Sequence, residues 1–184
     1  LYSSAASDVY KRQRLIRLPF DIRNRRYITI GKGFTTGFSC RIEAFPLDKS
    51  NKNCIKIGAN VQINDSVHIG AVESIIIEDN VLMASKIYIS DHNHGGYDIN
   101  HSSDPNSDPI KRLQVSKPVR IRRNAWLGES VCILPGVTIG QGSIIGALSV
   151  VTKDIPDYTI AAGSPAKPVK KYNFETKLWE KIKI

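Results

Sequence analysis

The chain has four histidines, and two of them, His92 and His94, stand close together at the start of a polar segment that runs from Asp91 to Pro118. A neutral imidazole, with a reference pKa of about 6.5, takes a proton from a hydroxyl group as that hydroxyl attacks an electrophile. We therefore interpret His92 as a candidate general base, the alternative being a loop histidine without chemistry. His94 is either a substrate contact or a solvated loop residue.

Asp91 directly precedes His92 and is a candidate partner that orients the imidazole ring. In an extended strand, however, successive side chains point to opposite faces, and the two groups would then diverge. The sequence leaves both arrangements of Asp91 open, because it does not show whether the chain is extended at this point.

On both sides of the polar segment an aliphatic residue recurs at every sixth position, with one slip of two residues between Ile69 and Ile77. These residues are Ile57, Ile63, Ile69, Ile77, Met83, Ile89, Ile121, Leu127, Ile133, Ile139, Ile145 and Val151. A period of six fits neither a helix nor a simple strand, but it is typical of a parallel β-helix, in which short strands alternate with turns. We predict that the aliphatic residue points inward and that the small residue after it lets the chain turn the corner. A β-sandwich is the alternative.

The predicted architecture is all-β, with coils of about 18 residues stacked between residues 28 and 168. We expect about five coils, a long protruding loop at residues 91–118, and a short helix in a C-terminal extension at residues 169–184. Residues 14–27 form a basic N-terminal segment. Residues 1–13 read as a non-native or disordered leader, because they lack both an initiator Met and an apolar period.

The composition narrows the range of partners. The net charge of +9, from 26 basic and 17 acidic residues, indicates an anionic partner. Nucleic acid is not expected, because aromatic residues are not interleaved with the basic ones. The basic N-terminal segment is interpreted either as solvated and poorly ordered or as a contact with an anionic membrane or a lipid-linked substrate. Cys40, Cys54 and Cys132 lack metal-binding spacing and fit a reducing compartment, so we expect a cytoplasmic protein.

Several stretches in order along the chain resemble the hexapeptide-repeat acyltransferases, whose coils form a left-handed parallel β-helix. Within that superfamily the chain is most similar to the maltose/galactoside-type O-acetyltransferases, and above all to those of lipopolysaccharide and capsule biosynthesis. The matching stretches are "IGANVQIND" (57–65), "ISDHNHG" (89–95), "AWLGESVCILPGVTIG" (125–140), "VVTKDIP" (150–156) and "AAGSPAKPVKKY" (161–172).

The resemblance implies an acetyl-CoA-dependent O-acetyltransferase that acts on a sugar hydroxyl, with His92 as general base and no metal. It also implies that Asn64 lies near the acceptor. Trp126 would border the acetyl and pantetheine tunnel, or else a subunit interface. The remaining residues expected to bind coenzyme A, either along its pantetheine arm or at its phosphates, are Gly146, Ala147, Thr152, Lys153, Lys167 and Lys170. For each lysine, a solvated surface position is the alternative.

By the same resemblance the protein is expected to be a homotrimer with a cleft between each pair of adjacent subunits. Two other functions share the fold. A γ-type carbonic anhydrase is disfavoured, because no histidine follows His101 to complete a zinc site. A non-catalytic scaffold is disfavoured by the presence of His92 and the lysines near the C-terminus.

Overall fold

The computed structural model describes residues 15–50, 53–99 and 101–182, and this part of the chain is nearly all β-structure. Two single-turn 3₁₀ helices, Arg25–Tyr27 and Pro109–Lys111, accompany the strands. No described helix is long and apolar enough to cross a membrane. The strands are, in chain order, β1 (Phe20–Arg23), β2 (Ile28–Ile30), β3 (Thr35–Thr36), β4 (Cys40–Ala44), β5 (Ile55–Ile57), β6 (Gln62–Ile63), β7 (His68–Ala71), β8 (Ile75–Ile77), β9 (Leu82–Met83), β10 (Tyr88–Ser90), β11 (His92–His94), β12 (Gln114–Ser116), β13 (Val119–Ile121), β14 (Trp126–Leu127), β15 (Cys132–Ile133), β16 (Thr138–Ile139), β17 (Ile144–Ile145), β18 (Val150–Val151), β19 (Thr159–Gly163), β20 (Ala166–Asn173) and β21 (Leu178–Lys181).

Most strands belong to three sheets, which the chain visits in a fixed order. Sheet 1 contains β2, β5, β8, β13 and β16; sheet 2 contains β3, β6, β9, β14, β17, β19, β20 and β21; sheet 3 contains β1, β4, β7, β10, β15 and β18. Neighbouring strands in sheets 1 and 3 are parallel, as are those of sheet 2 from β3 to β19. This is the arrangement of a parallel β-helix. We number its corners by the sheets they join: corner 1–2, corner 2–3 and corner 3–1.

The interior of the coils contains the aliphatic residues of the six-residue repeat. All twelve side chains are at most 1% exposed, so the prediction that they point inward is confirmed. The smaller residues four positions later, from Val61 to Ser149, are equally buried. Each inward side chain stacks on its equivalents in the coils above and below, which forms one continuous core.

The corners turn differently from the prediction. Asn60, Asn80 and Asn124 take up left-handed backbone conformations at corner 1–2, with φ between 55° and 60°. The residue directly after the aliphatic one is small for another reason: a Cβ on Gly58 would lie 2.8 Å from the backbone nitrogen of Asp79, and one on Gly128 would lie 2.7 Å from that of Ala147. Glycine at these two positions therefore permits close stacking of the coils and does not itself make the turn.

Residues 92–116, which we call the arm, leave the three sheets after β10. The base of the arm is an antiparallel pair formed by β11 and β12, in which His92 lies opposite Ser116. Farther out, Ile99, Ile110 and Leu113 are each at least 78% exposed. The chain re-enters the coils at β13, which pairs in parallel with β8.

The two ends of the described chain also form strands. In the basic segment, β1 pairs in parallel with β4. The predicted leader, residues 1–13, lies outside the described residues. The predicted C-terminal helix is wrong: β21 forms an antiparallel pair with β20, with Trp179 opposite Tyr172. The open edge of sheet 2 provides backbone hydrogen-bond partners there, and the side chain of Asn173 accepts hydrogen bonds from Glu175 N and Thr176 N in the turn.

Candidate active site

The candidate site lies at corner 3–1, where β10 ends and the arm begins. Asp91 forms a bend between β10 and β11, so its side chain does not alternate with that of His92. His92 Nδ1 lies 3.0 Å from Asp91 Oδ1. The Asp91 side chain is fully buried and that of His92 is 20% exposed. Of the two arrangements that the sequence leaves open, the structure has the one in which the two side chains meet.

Asp91 is held by the corner of the neighbouring coil. Its carboxylate accepts hydrogen bonds from three consecutive backbone N–H groups, those of Val72 at 2.9 Å and of Glu73 and Ser74 at 2.8 Å each. A buried carboxylate needs such donors, because leaving it unpaired would cost several kcal/mol. The position of the carboxylate next to His92 is thus set by the stacking of two coils.

The contacts of His92 determine which ring nitrogen carries the hydrogen. Because an ionised carboxylate only accepts hydrogen bonds, the Nδ1–H group of His92 donates to Asp91. The Ser90 hydroxyl lies 3.3 Å from Nδ1 and donates to the backbone oxygen of His92 at 3.1 Å. Within the described part of the chain, Nε2 has no hydrogen-bond partner. Its lone pair is therefore free to accept a proton.

His94 lies on the same side of β11 as His92, with the ring centroids 6.2 Å apart. Its backbone oxygen accepts a hydrogen bond from the Tyr97 hydroxyl at 2.6 Å, which fixes the start of the arm. On the other side of β11, Asn93 and Thr152 line an open cavity of about 290 Å³. Thr152 and its neighbour Lys153 therefore lie at the same corner as the candidate base.

The other residues predicted to bind coenzyme A follow two rows on sheet 2. Trp126, Ile144, Ile160 and Lys170 lie opposite one another on adjacent strands and form the first row. All four side chains are on the outer face, and Trp126 is 47% exposed. An apolar strip thus ends at an ammonium group.

The second row lies beside the first, at corner 2–3. A Cβ on Gly146 would meet the Cβ of Ala162 at 3.0 Å, and Ala162 pairs with Lys167. Ala147 follows Gly146 and is exposed. Small residues therefore line this corner beside the apolar strip, and Lys167 lies opposite Ala162 on the next strand.

Within one chain, these groups do not converge. Corner 3–1 has His92, His94, Thr152 and Lys153, whereas Trp126, Gly146, Lys167 and Lys170 belong to sheet 2 and corner 2–3. Asn64 lies at corner 2–3 as well, directly after β6, and is partly buried.

The sequence did not identify Ser90, the backbone of residues 72–74, or the outward Ile144 and Ile160. Ser90 and the three N–H groups leave no pattern that a sequence could reveal. The two isoleucines leave such a pattern, because each precedes an inward residue and so occupies an outward position, where a polar residue is usual.

Titratable groups near the site do not add a nucleophile or a metal site. Burial, together with the negative charges of Asp91 and Glu73, raises the pKa of the Cys54 thiol to about 12. A thiol in this state is a poor nucleophile. No three His, Cys, Asp or Glu side chains of the described residues are grouped as a metal site would require.

The chain matches one protein family model and is similar to several known proteins. Residues 118–153 match the bacterial transferase hexapeptide (six repeats) family. The chain is 47% identical over 175 residues to WbbJ of Escherichia coli K12, provisionally named a lipopolysaccharide biosynthesis O-acetyl transferase, covering 94% of this chain and 86% of that protein. The chain belongs to the hexapeptide-repeat O-acetyltransferases. A second member, the galactoside O-acetyltransferase of E. coli K12, is 35% identical over 170 residues, covering 92% of this chain and 73% of that protein.

The chain also has the same fold as a solved structure of much lower sequence identity. A mutant form of AntD, an N-acyltransferase from Bacillus cereus in complex with dTDP-4-amino-4,6-dideoxyglucose and coenzyme A, matches with a TM-score of 0.71. The match covers 95% of this chain and 92% of that one at 19% identity. At that identity the likeness is one of fold alone.

Proposed function

We propose that the protein transfers an acetyl group from acetyl-CoA to a sugar hydroxyl during the assembly of a surface polysaccharide. The observation that carries this proposal is the imidazole of His92, held through Nδ1 by buried Asp91 and free at Nε2. WbbJ and the galactoside O-acetyltransferase, which cover most of the chain at 47% and 35% identity, bear names that agree with it.

In this mechanism His92 Nε2 accepts the proton of the sugar hydroxyl as the hydroxyl oxygen attacks the thioester carbonyl carbon. Asp91 stabilises the positive charge that develops on the imidazole, as a carboxylate does for an adjacent histidine. When the carbon–sulfur bond breaks, His92 returns the proton to the departing thiolate. No covalent bond to the protein forms.

The sheet 2 rows are proposed to bind the donor. The apolar strip from Trp126 to Ile160 fits the pantetheine arm, with Gly146 and Ala147 leaving room beside it. Lys167 and Lys170 fit the phosphates of coenzyme A, as point charges without the bidentate geometry of arginine. Asn64 and His94 are proposed to contact the acceptor.

We propose further that the active protein is a homotrimer, in which each cleft combines corner 3–1 of one subunit with the sheet 2 rows of the next. The support is that these two groups of residues lie at different corners of a single chain. We also propose that the coils wind in a left-handed sense and number about five. The proposed location is cytoplasmic, which agrees with the three free cysteines.

The test is the release of coenzyme A thiol from acetyl-CoA with a panel of sugars and sugar nucleotides. The His92→Ala variant should lose about 10²–10⁴-fold in rate, since it lacks the general base. His101→Ala is the matched control: His101 also has a carboxylate nearby, with Nδ1 3.6 Å from Asp98 Oδ1, but its side chain is 69% exposed in the arm. It should retain the wild-type rate.

Equal rates in wild type and His92→Ala would refute the assigned base. A non-catalytic scaffold predicts no acceptor-dependent release in either protein and no binding of coenzyme A. A metal enzyme of the carbonic anhydrase type predicts loss of activity with a chelator, whereas the proposed transfer continues in its presence.

A further inference from the structure

A cavity of about 410 Å³ opens on the outer side of sheet 3 and is lined by both apolar and polar residues. Its polar lining comes from Asp21, Ser39, Arg41, Ser66 and His68. These residues belong to β1, β4 and β7 and to the corner beside them. The Arg41 side chain is 42% exposed and the His68 side chain 25%.

The charged groups around the cavity form one network with fixed hydrogen-bond directions. Arg41 Nη2 lies 3.1 Å from His68 Nδ1, and His68 Nε2 lies 2.8 Å from Glu43 Oε1. Because a guanidinium only donates, Nδ1 is the acceptor and the Nε2–H group donates to Glu43. Arg23 links the two carboxylates, at 2.7 Å from Asp21 and 3.2 Å from Glu43.

The positive charges of two guanidinium groups equal the negative charges of two carboxylates in this network, so the cavity has no excess positive charge that would bind an anion. It presents donors and acceptors together, in rigid planar groups. Tyr88 adds an aromatic ring, 39% exposed, that contacts the His68 ring edge-on at 5.3 Å between centroids. Planar polar groups beside an exposed aromatic ring suit a neutral sugar, whose hydroxyls both donate and accept and whose ring has an apolar face.

The cavity is connected to the catalytic corner by the strand β10. His68 pairs with Tyr88 in register, and His92 follows Tyr88 by four positions. At about 3.3 Å per residue, the Cα atoms of Tyr88 and His92 are at most roughly 13 Å apart. The line of paired residues that contains His68 and Tyr88 continues on the next strands of sheet 3 with Cys132 and Val150. The polar side chains of this line therefore end at Tyr88.

We propose that this cavity binds a second sugar unit of the acceptor, separate from the unit whose hydroxyl meets His92. The acceptor is then an oligosaccharide or a longer chain and not a single sugar. The inference rests on the proposed function for the sugar at His92, but the binding it describes does not require turnover.

The test is direct binding of two length series, measured by calorimetry without acetyl-CoA: galactose, galactobiose and galactotriose, and glucose, maltose and maltotriose. In at least one series the trisaccharide should bind the wild-type protein about tenfold more tightly than the monosaccharide, since it fills both subsites. Arg41→Lys, which loses the planar fork, and Tyr88→Ala should each remove most of that difference.

Arg120→Lys is the matched control. Arg120 also makes a cross-strand side-chain contact, in this case to a carboxylate, with Nη2 2.6 Å from Glu78 Oε1 on the outer face of sheet 1. It should keep the wild-type length dependence. Equal affinity for all lengths in both series, or an Arg41→Lys variant indistinguishable from Arg120→Lys, would overturn the inference.

Binding and turnover separate the two proposals. If binding depends on sugar length but acetyl transfer does not depend on His92, the cavity proposal is supported and the catalytic proposal is not. If transfer depends on His92 but binding does not depend on sugar length, the catalytic proposal is supported and the cavity proposal is not.

Discussion

The inner and outer faces of sheet 2 follow different rules, although the same strands form both. Along the inside, Ile63, Met83, Leu127 and Ile145 lie in register and are all at most 1% exposed. Directly beside them on the outside, the row reads Gln62, Leu82, Trp126 and Ile144. The inside repeats because each side chain must fit its equivalents above and below. The outside has no such constraint, so its residues differ and can take part in binding.

Leu127 and Trp126 give the strongest test of this difference, because they are neighbours on β14 with opposite orientations. Leu127→Ala removes a fully buried side chain and leaves a cavity, so the free energy of unfolding should fall by about 2–5 kcal/mol. Trp126→Ala should cost no more than about 1 kcal/mol while raising the KM for acetyl-CoA. Urea unfolding and steady-state kinetics measure the two effects. Comparable destabilisation by both would show that the outer face is structural.

The sequence predicted the inside well for a simple reason. One aliphatic residue at every sixth position has a single geometric solution in which all of them are buried, and that solution is the stack of coils. The C-terminal strand pair was not predictable in the same way. "ETKLWEKIKI" has no pattern that excludes a helix, and the conformation of residues 178–181 depends on pairing with β20 at the edge of sheet 2.

At the catalytic corner the contrast is between Asp91, buried under two coils, and Asp98, exposed in the arm. Asp91→Asn keeps the shape but places an amide among three N–H donors, so it should cost about 1–3 kcal/mol of stability. The kcat should fall about 10–100-fold with both KM values unchanged, because Asp91 orients the base and does not bind substrate. Asp98→Asn should change neither. If Asp91→Asn lowers stability but keeps the wild-type kcat, Asp91 is structural only.

The sequence placed His92 at the point where the regular repeat stops, which is where the arm leaves the coils, but it left Asp91 undecided. The deciding contacts join Asp91 to residues 72–74, a separation of 17 to 19 positions along the chain. Those contacts depend on the register between coils and on a bend at one residue. Neither is encoded by residue type alone. On the outer face of sheet 2 the sequence singled out Trp126, whereas Ile144 and Ile160 become its neighbours only through strand pairing.

The asparagines of corner 1–2 test whether the outside also contributes to stability. Asn60 Nδ2 and Asn80 Nδ2 each donate to the next asparagine oxygen at 3.2 Å, and Asn80 has φ 59°. Asn80→Ala should lower the free energy of unfolding by about 1–2 kcal/mol, mainly because alanine disfavours this conformation. Asn80→Gly should cost less, since glycine adopts it readily. Equal losses would mean that the hydrogen bonds, and not the backbone conformation, are what asparagine contributes.

The smallest expected effect is on the outer face of sheet 1, where Glu78 pairs with Arg120 and accepts a hydrogen bond from Arg123 N. Partial burial raises the pKa of Glu78, but these contacts outweigh it and hold the pKa below its ordinary value of 4.5. A depressed carboxyl pKa stabilises the fold above pH 4.5, and that stabilisation is lost as the pH falls through the depressed value. Glu78→Gln should therefore cost about 1 kcal/mol at pH 7, and the difference from wild type should shrink as the pH falls below 4.5. Glu129→Gln is the control, since its pair with Lys86 is 3.9 Å apart and at least half exposed. A gap between wild type and Glu78→Gln that stays constant down to pH 3 would mean that Glu78 contributes through packing and not through its charge.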